Sequence, residues 1–291
     1  MRAFSVGVSS FVSFDLDAYL ARIGTDGAGL KTGNYLRGRG SSDPGIETIA
    51  ALMRAHMAAI PFENIDVLLG RGIRIDLESV AAKLVTARRG GYCFEHGTLF
   101  QAALAALSIE TTAHAARVLL VTPKAEAPRT HMFLTVVDRG TTWVLDPGFG
   151  GQGPLVPVPL VEGREARNGR DVHRLVRRDG EWVLEALVNG AMAPLWTSTL
   201  EPQYPVDFAL ANHYVSTYRE SRFATHLLIR AIMPDGRVSA MNRDVTVLRD
   251  GVAEKSQLPD RAALRALLER HFGFDLPEVE QLRVPSLPEW G

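Results

Sequence analysis

The chain reads as an α+β protein of several units, and three observations carry that reading. Apolar residues recur at helical spacing through the N-terminal third. After Leu107 the period switches to two over a run of short strands. Helix then returns near Val206 ahead of a mixed tail. At 291 residues there is room for two or three cores. The expected division is a flexible extension over 1–13, a helical unit over 14–108, a strand-rich unit over 109–203, and a returning helix with a mixed unit over 204–291.

The first helix is expected over Asp15 to Ile23, where Leu16, Tyr19, Leu20 and Ile23 share a face and Gly24 supplies a stop. Gly24 to Gly45 is glycine-rich and reads as a long surface loop with a short apolar anchor at Tyr35-Leu36. Asp43-Pro44 then gives an N-cap and a first-turn proline, and Ile49, Leu52, Met53 and His56 line one face of the next helix. Ile60-Pro61-Phe62-Glu63-Asn64-Ile65-Asp66 breaks that helix. Asp76 caps a third helix to about Ala87, ended by Gly90-Gly91, and Phe94 to Leu107 is apolar on nearly every side, which predicts a buried helix. Strands are expected over Ala116 to Val121, Thr130 to Asp138 and Thr142 to Asp146. Val172 to Arg177 and Glu181 to Val188 flank an Asp179-Gly180 hairpin turn. Short strands with little helix between them point to a small barrel or sandwich. A helix over Val206 to Tyr218, a hairpin at Asp235-Gly236 and a helix from Asp260 to His271, closed by Gly273, complete the chain.

Charge excludes some function classes. With 32 basic and 33 acidic side chains and no long block of one sign, neither nucleic acid nor a membrane surface is an expected partner. A single cysteine excludes an internal disulfide and a cysteine-rich metal site, and suits a reducing, cytoplasmic compartment. No apolar run is long enough and free enough of charge to span a bilayer.

That cysteine, Cys93, follows two glycines and opens the apolar helix, where unpaired N–H groups and the positive end of the macrodipole favour a thiolate. A cysteine nucleophile needs a base and a group to orient it. Of eight histidines, His56 is expected in a core, His96 in an exposed first turn and His271 at a helix C-terminus; His114, His173, His213 and His226 lie in segments that do not rank them. His131 stands apart. If Thr130 to Asp138 and Thr141 to Pro147 form a hairpin turning through Arg139-Gly140, Phe133 faces Asp146. His131, two residues away, shares that face, at about 7–8 Å diagonally. A one-residue slip would put Asp146 on the other face. Gly148 then falls opposite His131 and leaves room for substrate or for the incoming helix. Cys93, His131 and Asp146 thus form a candidate cysteine-protease-like core of nucleophile, base and orienting acid.

The stretches RGGYCFEHG, HMFLTVV and VLDPGFGG, with FDLDAYLARIG, IPFENID, PDGR and FGFDLP, resemble the arylamine N-acetyltransferase family from about Phe14 to Leu282. The resemblance implies an N-terminal helical bundle, a central antiparallel β-barrel and a C-terminal α/β lid, with a Cys-His-Asp triad falling on Cys93, His131 and Asp146. It implies acetyl-coenzyme A as donor with no metal, and an aromatic amine or hydrazine as acceptor, by ping-pong transfer through a thioester. Arg89 and Glu63 match family positions expected to pair and brace the cysteine loop. Phe149 is a candidate wall for an aromatic ring, with Phe62, Tyr92, Gly148 and Gly150 as further lining. Gly97 stands where the family usually carries asparagine, which predicts an altered rate or substrate preference. Within the family an amide synthase is an alternative to a detoxifying enzyme. Outside it stand a thiol hydrolase or transglutaminase-like enzyme using the same three residues, and a silent binding protein.

Overall fold

The computed structural model describes residues 14–25 and 45–290. The expected extension over 1–13, the loop anchor at Tyr35-Leu36 and the Asp43-Pro44 cap lie outside the described residues. Helix α1 (Leu16–Arg22) is capped by Asp15, whose carboxylate accepts from Ala18 N at 2.9 Å. Helix α2 (Ile46–Ala59) starts at Gly45, which has no side chain to cap it. The Asp138 carboxylate, from the far end of a strand, accepts from Ile46 N at 3.3 Å. After α2 the chain makes a two-residue strand β1 (Phe62–Glu63) and a short helix α3 (Ile65–Leu68). Helix α4 (Leu77–Ala81), capped by Asp76, runs on as a wider turn over Ala82–Thr86. The expected stop at Gly90-Gly91 is corrected. The chain leaves this helix at Arg88 with φ 53°, and the glycines serve another purpose described below. Helix α5 (Cys93–Ala106) then runs through the middle of a core of Tyr19, Leu20, Ile49, Met53, Leu84, Phe100 and Leu104, which is why its sequence is apolar all round.

Eight strands follow in an antiparallel sheet: β2 (Thr112–Val118), β3 (Arg129–Asp138), β4 (Thr141–Leu145), β5 (Val158–Pro159), β6 (Glu165–Asn168), β7 (Asp171–Arg178), β8 (Glu181–Val188) and β9 (Ala191–Ser198). Their order is β5-β4-β3-β2-β9-β8-β7-β6, and β5 lies against β6 and β7, so the sheet curls into a nearly closed barrel rather than a sandwich. Strand β2 lies earlier than the expected Ala116–Val121 because a bulge between Ala116 and Arg117 interrupts its alternation. Strand β3 is buried on both faces. Met132, Leu134 and Val136 join the helical core, while Phe133 packs inside the barrel with Val144, Leu184, Leu195 and Trp196. One strand is the wall between two cores.

Helix α6 (Pro205–Thr217) and the short α7 (Arg222–Thr225) lead to a second antiparallel sheet of β10 (Leu228–Met233), β11 (Gly236–Met241), β12 (Asp244–Arg249) and β13 (Val252–Gln257). Its fifth strand is β1, which pairs with β10 through Phe62 opposite Arg230 and Glu63 opposite Ile229. A stretch that reads in sequence only as a helix break is thus the edge of the C-terminal sheet. Helix α8 (Arg261–Leu267) and the turn after it cover one face with Leu264, Leu268 and Phe272, and Gly273 closes the helix at φ 76°. Among the described residues no helix is long and apolar enough to cross a membrane.

Candidate active site

The loop before α5 is built on close approach. A Cβ on Gly90 would lie 2.3 Å from the Pro61 carbonyl oxygen, and one on Gly91 2.6 Å from Glu95 Oε2. Without those atoms the loop packs against Pro61–Glu63: Gly91 N donates to Pro61 O at 3.2 Å and Glu63 N to Gly91 O at 2.9 Å. Glu95 folds back to accept from Tyr92 N at 3.0 Å, half of a capping box that fixes where the helix begins. The first residues of α5 keep N–H groups without intrahelical acceptors, and Cys93 is the first helical residue.

Charged side chains hold this loop from below. Arg89 meets Glu63 at 2.7 Å and Asp66 at 3.4 Å; Lys83 meets Asp66 at 2.9 Å and Glu95 at 2.8 Å. Burial alone would raise the Asp66 carboxyl, but Lys83 and Arg89 hold it below the usual carboxylate range. Such a network adds little net stability over an apolar core, yet removing one member leaves its partner's charge buried and unpaired. It fixes position. The Arg89–Glu63 pair expected from sequence is present, and Asp66, Lys83 and Glu95 extend it. Spacing gave no sign of these three because they come from three separate elements.

Hairpin β3–β4 carries the candidate base, His131. Its register has Asp138 opposite Thr141 and Leu134 opposite Leu145, turning through Arg139 (φ 48°) and Gly140 (φ 77°), as the hairpin argument requires. His131 Nε2 lies 3.0 Å from both Asp146 oxygens. A carboxylate only accepts, so Nε2 carries the hydrogen and Nδ1 is the ring nitrogen left for the thiol. Burial works against a charged His131. The Asp146 charge and hydrogen bond, together with a hydrogen bond from Cys93, outweigh it and push the imidazole up to about 10. The thiol is 4 % exposed, and its Sγ also lies 3.7 Å from Thr130 O. Gly148 admits the helix start: a Cβ there would lie 2.7 Å from Cys93 Cα.

Trp196 is the site residue that sequence missed. Its Nε1 donates to Asp146 Oδ2 at 2.9 Å, and its ring stacks on Phe133 with centroids 4.4 Å apart. It belongs to β9, a strand hidden by Pro194. Phe149 packs edge-on to His131 at 5.1 Å between centroids and is 9 % exposed. Phe62 is half-buried, and a Cβ on Gly150 would lie 2.9 Å from its ring. Tyr92 is fully buried, with its hydroxyl donating to Asn212, so it has no surface to offer a ligand here.

The expectation of an exposed His96 is corrected: it is 1 % exposed. A helix apolar on every side has no exposed face, and that sequence signal applied to His96 too. Its Nε2 lies 3.3 Å from Pro61 O, which only accepts, so Nε2 donates and Nδ1 accepts from His56 Nε2 at 2.9 Å. His56 Nδ1 then accepts from the Tyr19 hydroxyl at 3.0 Å. His56, as expected, is a core histidine. At Gly97 a Cβ would lie 2.8 Å from Met132 Sδ, so methionine fills the space beside this glycine. Among the described residues no cluster of three His, Cys, Asp or Glu side chains is arranged to hold a metal ion.

A family model described as N-acetyltransferase matches residues 45–281. An arylamine N-acetyltransferase of Mycobacterium tuberculosis is 36 % identical over 273 residues, 92 % of each chain, and one of Escherichia coli is 34 % identical over 91 % of this chain and 90 % of its own. Among solved structures, the Mycobacterium marinum arylamine N-acetyltransferase in complex with CoA superposes with a TM-score of 0.81 at 32 % identity, covering 91 % of this chain and 94 % of that one.

Proposed function

Since this chain belongs to the arylamine N-acetyltransferase family, we propose that it moves an acetyl group from acetyl-coenzyme A to an aromatic amine or hydrazine through a thioester on Cys93. The observation that carries this reading is His131, buried, held on Nε2 by both Asp146 oxygens at 3.0 Å and raised by Asp146 and Cys93.

An imidazole raised by Asp146 and by the thiol is one that takes the thiol proton, leaving a thiolate beside an imidazolium. The thiolate attacks the thioester carbonyl, and N–H groups at the start of α5 stabilise the oxyanion. Collapse breaks the carbon–sulfur bond to coenzyme A, whose sulfur leaves with the proton from His131. The acceptor nitrogen then attacks acetyl-Cys93, its proton passes to His131 Nδ1, and the amide departs as the thiolate re-forms. Aromatic amines suit this step because they are neutral at pH 7, whereas an alkyl amine with pKa near about 10.4 is protonated. Phe149, edge-on to His131, and Phe62, against Gly150, serve as apolar walls, with Gly148 and Gly150 keeping backbone close.

The proposal includes the division into a helical unit over 14–108, a barrel over 109–203 and a C-terminal lid over 204–291, and a cytoplasmic setting in which the lone thiol stays reduced. The eight barrel strands, all within the second span, support the division. The test is intact mass after mixing with acetyl-coenzyme A. Acetyl on Cys93 that persists until an arylamine is added is the expected result. Adduct that hydrolyses at once marks a thiol hydrolase instead, and coenzyme A left unreleased overturns the reading.

A further inference from the structure

Arg230 is 3 % exposed, and only part of its guanidinium is used. Nη1 donates to the Gly150 carbonyl at 2.7 Å; Nε and Nη2 have no partner among the described residues. Those two nitrogens form one edge of the planar fork, the edge that grips an anion with two parallel N–H groups. Among the described residues no carboxylate pairs with it. Asp171, the acid whose charge reaches Arg230, holds Arg237 at 3.0 Å. Burial, helped by Arg237, lowers the guanidinium to about 9, still charged at neutral pH. A buried unpaired charge costs several kcal/mol, and bridging water satisfies donors without neutralising them.

Arg230 lines a cavity of ≈ 10 Å³ with Met57, Ile60, Phe62, His96 and Gly150. That volume admits about one water-sized sphere, too little for an organic acid, and the flexible Met57 in its wall yields to something slightly larger. The other polar side chain in the wall, His96, donates its Nε2 hydrogen to Pro61 and is held neutral by burial. We infer that the Arg230 fork in this cavity is a binding site for one small monatomic anion of the halide class, chloride in solution. Bound there, the ion ties β10 to the loop that carries Gly150, beside His96 of α5. The cavity shares Phe62 and Gly150 with the acceptor walls proposed above, while anion binding at Arg230 does not require acetyl transfer.

The full chain, crystallised and soaked in sodium bromide, tests it by anomalous scattering. A bromide peak within hydrogen-bond distance of Arg230 Nε and Nη2 is expected, and an ordered water with no anomalous signal overturns the site. In solution, exchanging gluconate for chloride at fixed ionic strength should raise Tm on the order of 5 °C at saturation. The rise should vanish in Arg230→Met. A peak without that rise, or a rise equal in both proteins, overturns the proposal and leaves binding at crystal concentration only. Should Arg230→Met fail to fold, the bromide map and the chloride titration of the unaltered chain decide alone.

Discussion

Two imidazoles flank the start of α5, and their environments teach opposite lessons. His96, in the helical core, and His131, at the barrel wall, are 1 % and 3 % exposed. Burial penalises the charged form of both. His96 ends at about 4, since its neighbours are a carbonyl and another neutral imidazole; His131 ends at about 10, since its neighbours are a carboxylate and a thiol. Depth in the protein does not decide whether a histidine holds a proton. The charge of its partner does.

The contrast is broken most severely by Asp146→Asn. The amide must meet two donors, His131 Nε2–H and Trp196 Nε1–H, and turns the imidazole to the wrong tautomer. Acetylation of Cys93 should slow by about 10⁴, the scale seen when a triad acid is so changed, with Tm little altered. Stopped-flow release of coenzyme A measures the first and calorimetry the second. The reverse pattern is expected from His56→Phe. It orphans the Tyr19 hydroxyl and His96 Nδ1 in a dry core, costing roughly 2–5 kcal/mol in denaturant unfolding while the burst of coenzyme A release persists in the folded fraction.

Acid and alkali sharpen the same contrast. His96 is depressed in the folded state, so below about pH 6.5 the unfolded chain takes up a proton that the folded one refuses. The His96 contribution is full above that pH and falls as pH drops toward 4, by roughly 3 kcal/mol, with His56, also depressed, adding to it and Glu95, pushed up to about 7 by burial, offsetting part of it. His131 is raised, so its contribution is full below about pH 6.5 and fades as pH climbs through about 10. Denaturation midpoints across pH 4–10 should therefore peak near neutrality, and His131→Gln should remove the alkaline slope while leaving the acid one. The smallest effect is expected at Gly97→Ala. A methyl group crowds Met132 but suits a helix, so the net cost should be about 1 kcal/mol, and Met132→Val in the same chain should relieve it. Unfolding of the four proteins of that cycle measures the coupling.

Much of this was legible in the chain. The His131–Asp146 pairing followed from a two-residue turn and the period of a strand, because hairpin register is set locally. The place of Cys93 at the start of a buried helix followed from the glycines before it and the apolar run after it. What escaped was non-local. Trp196 sits on a strand masked by Pro194, and that proline faces Glu185 where a bulge shifts the β8–β9 register. Asp66, Lys83 and Glu95 converge from separate elements, and no spacing announces that. Gly97 read as a missing side chain, whereas the space is taken by Met132 from another element, a substitution in volume that only packing reveals.

Strand β1, two residues long, has one more consequence, and it concerns the order of synthesis. Asn64, next to it, accepts from Leu228 N at 2.8 Å across 164 residues, and beyond its bridge to Gly91 strand β1 pairs with β10. While the chain emerges N-terminus first, at about 5–20 residues per second, Pro61–Glu63 and the glycine loop wait without that edge for many seconds after Cys93 has left the ribosome. A nascent or prematurely ended chain therefore carries its thiol on an unfinished support. The loop that presents Cys93 thus gains its last backbone partners only once β10 has been made.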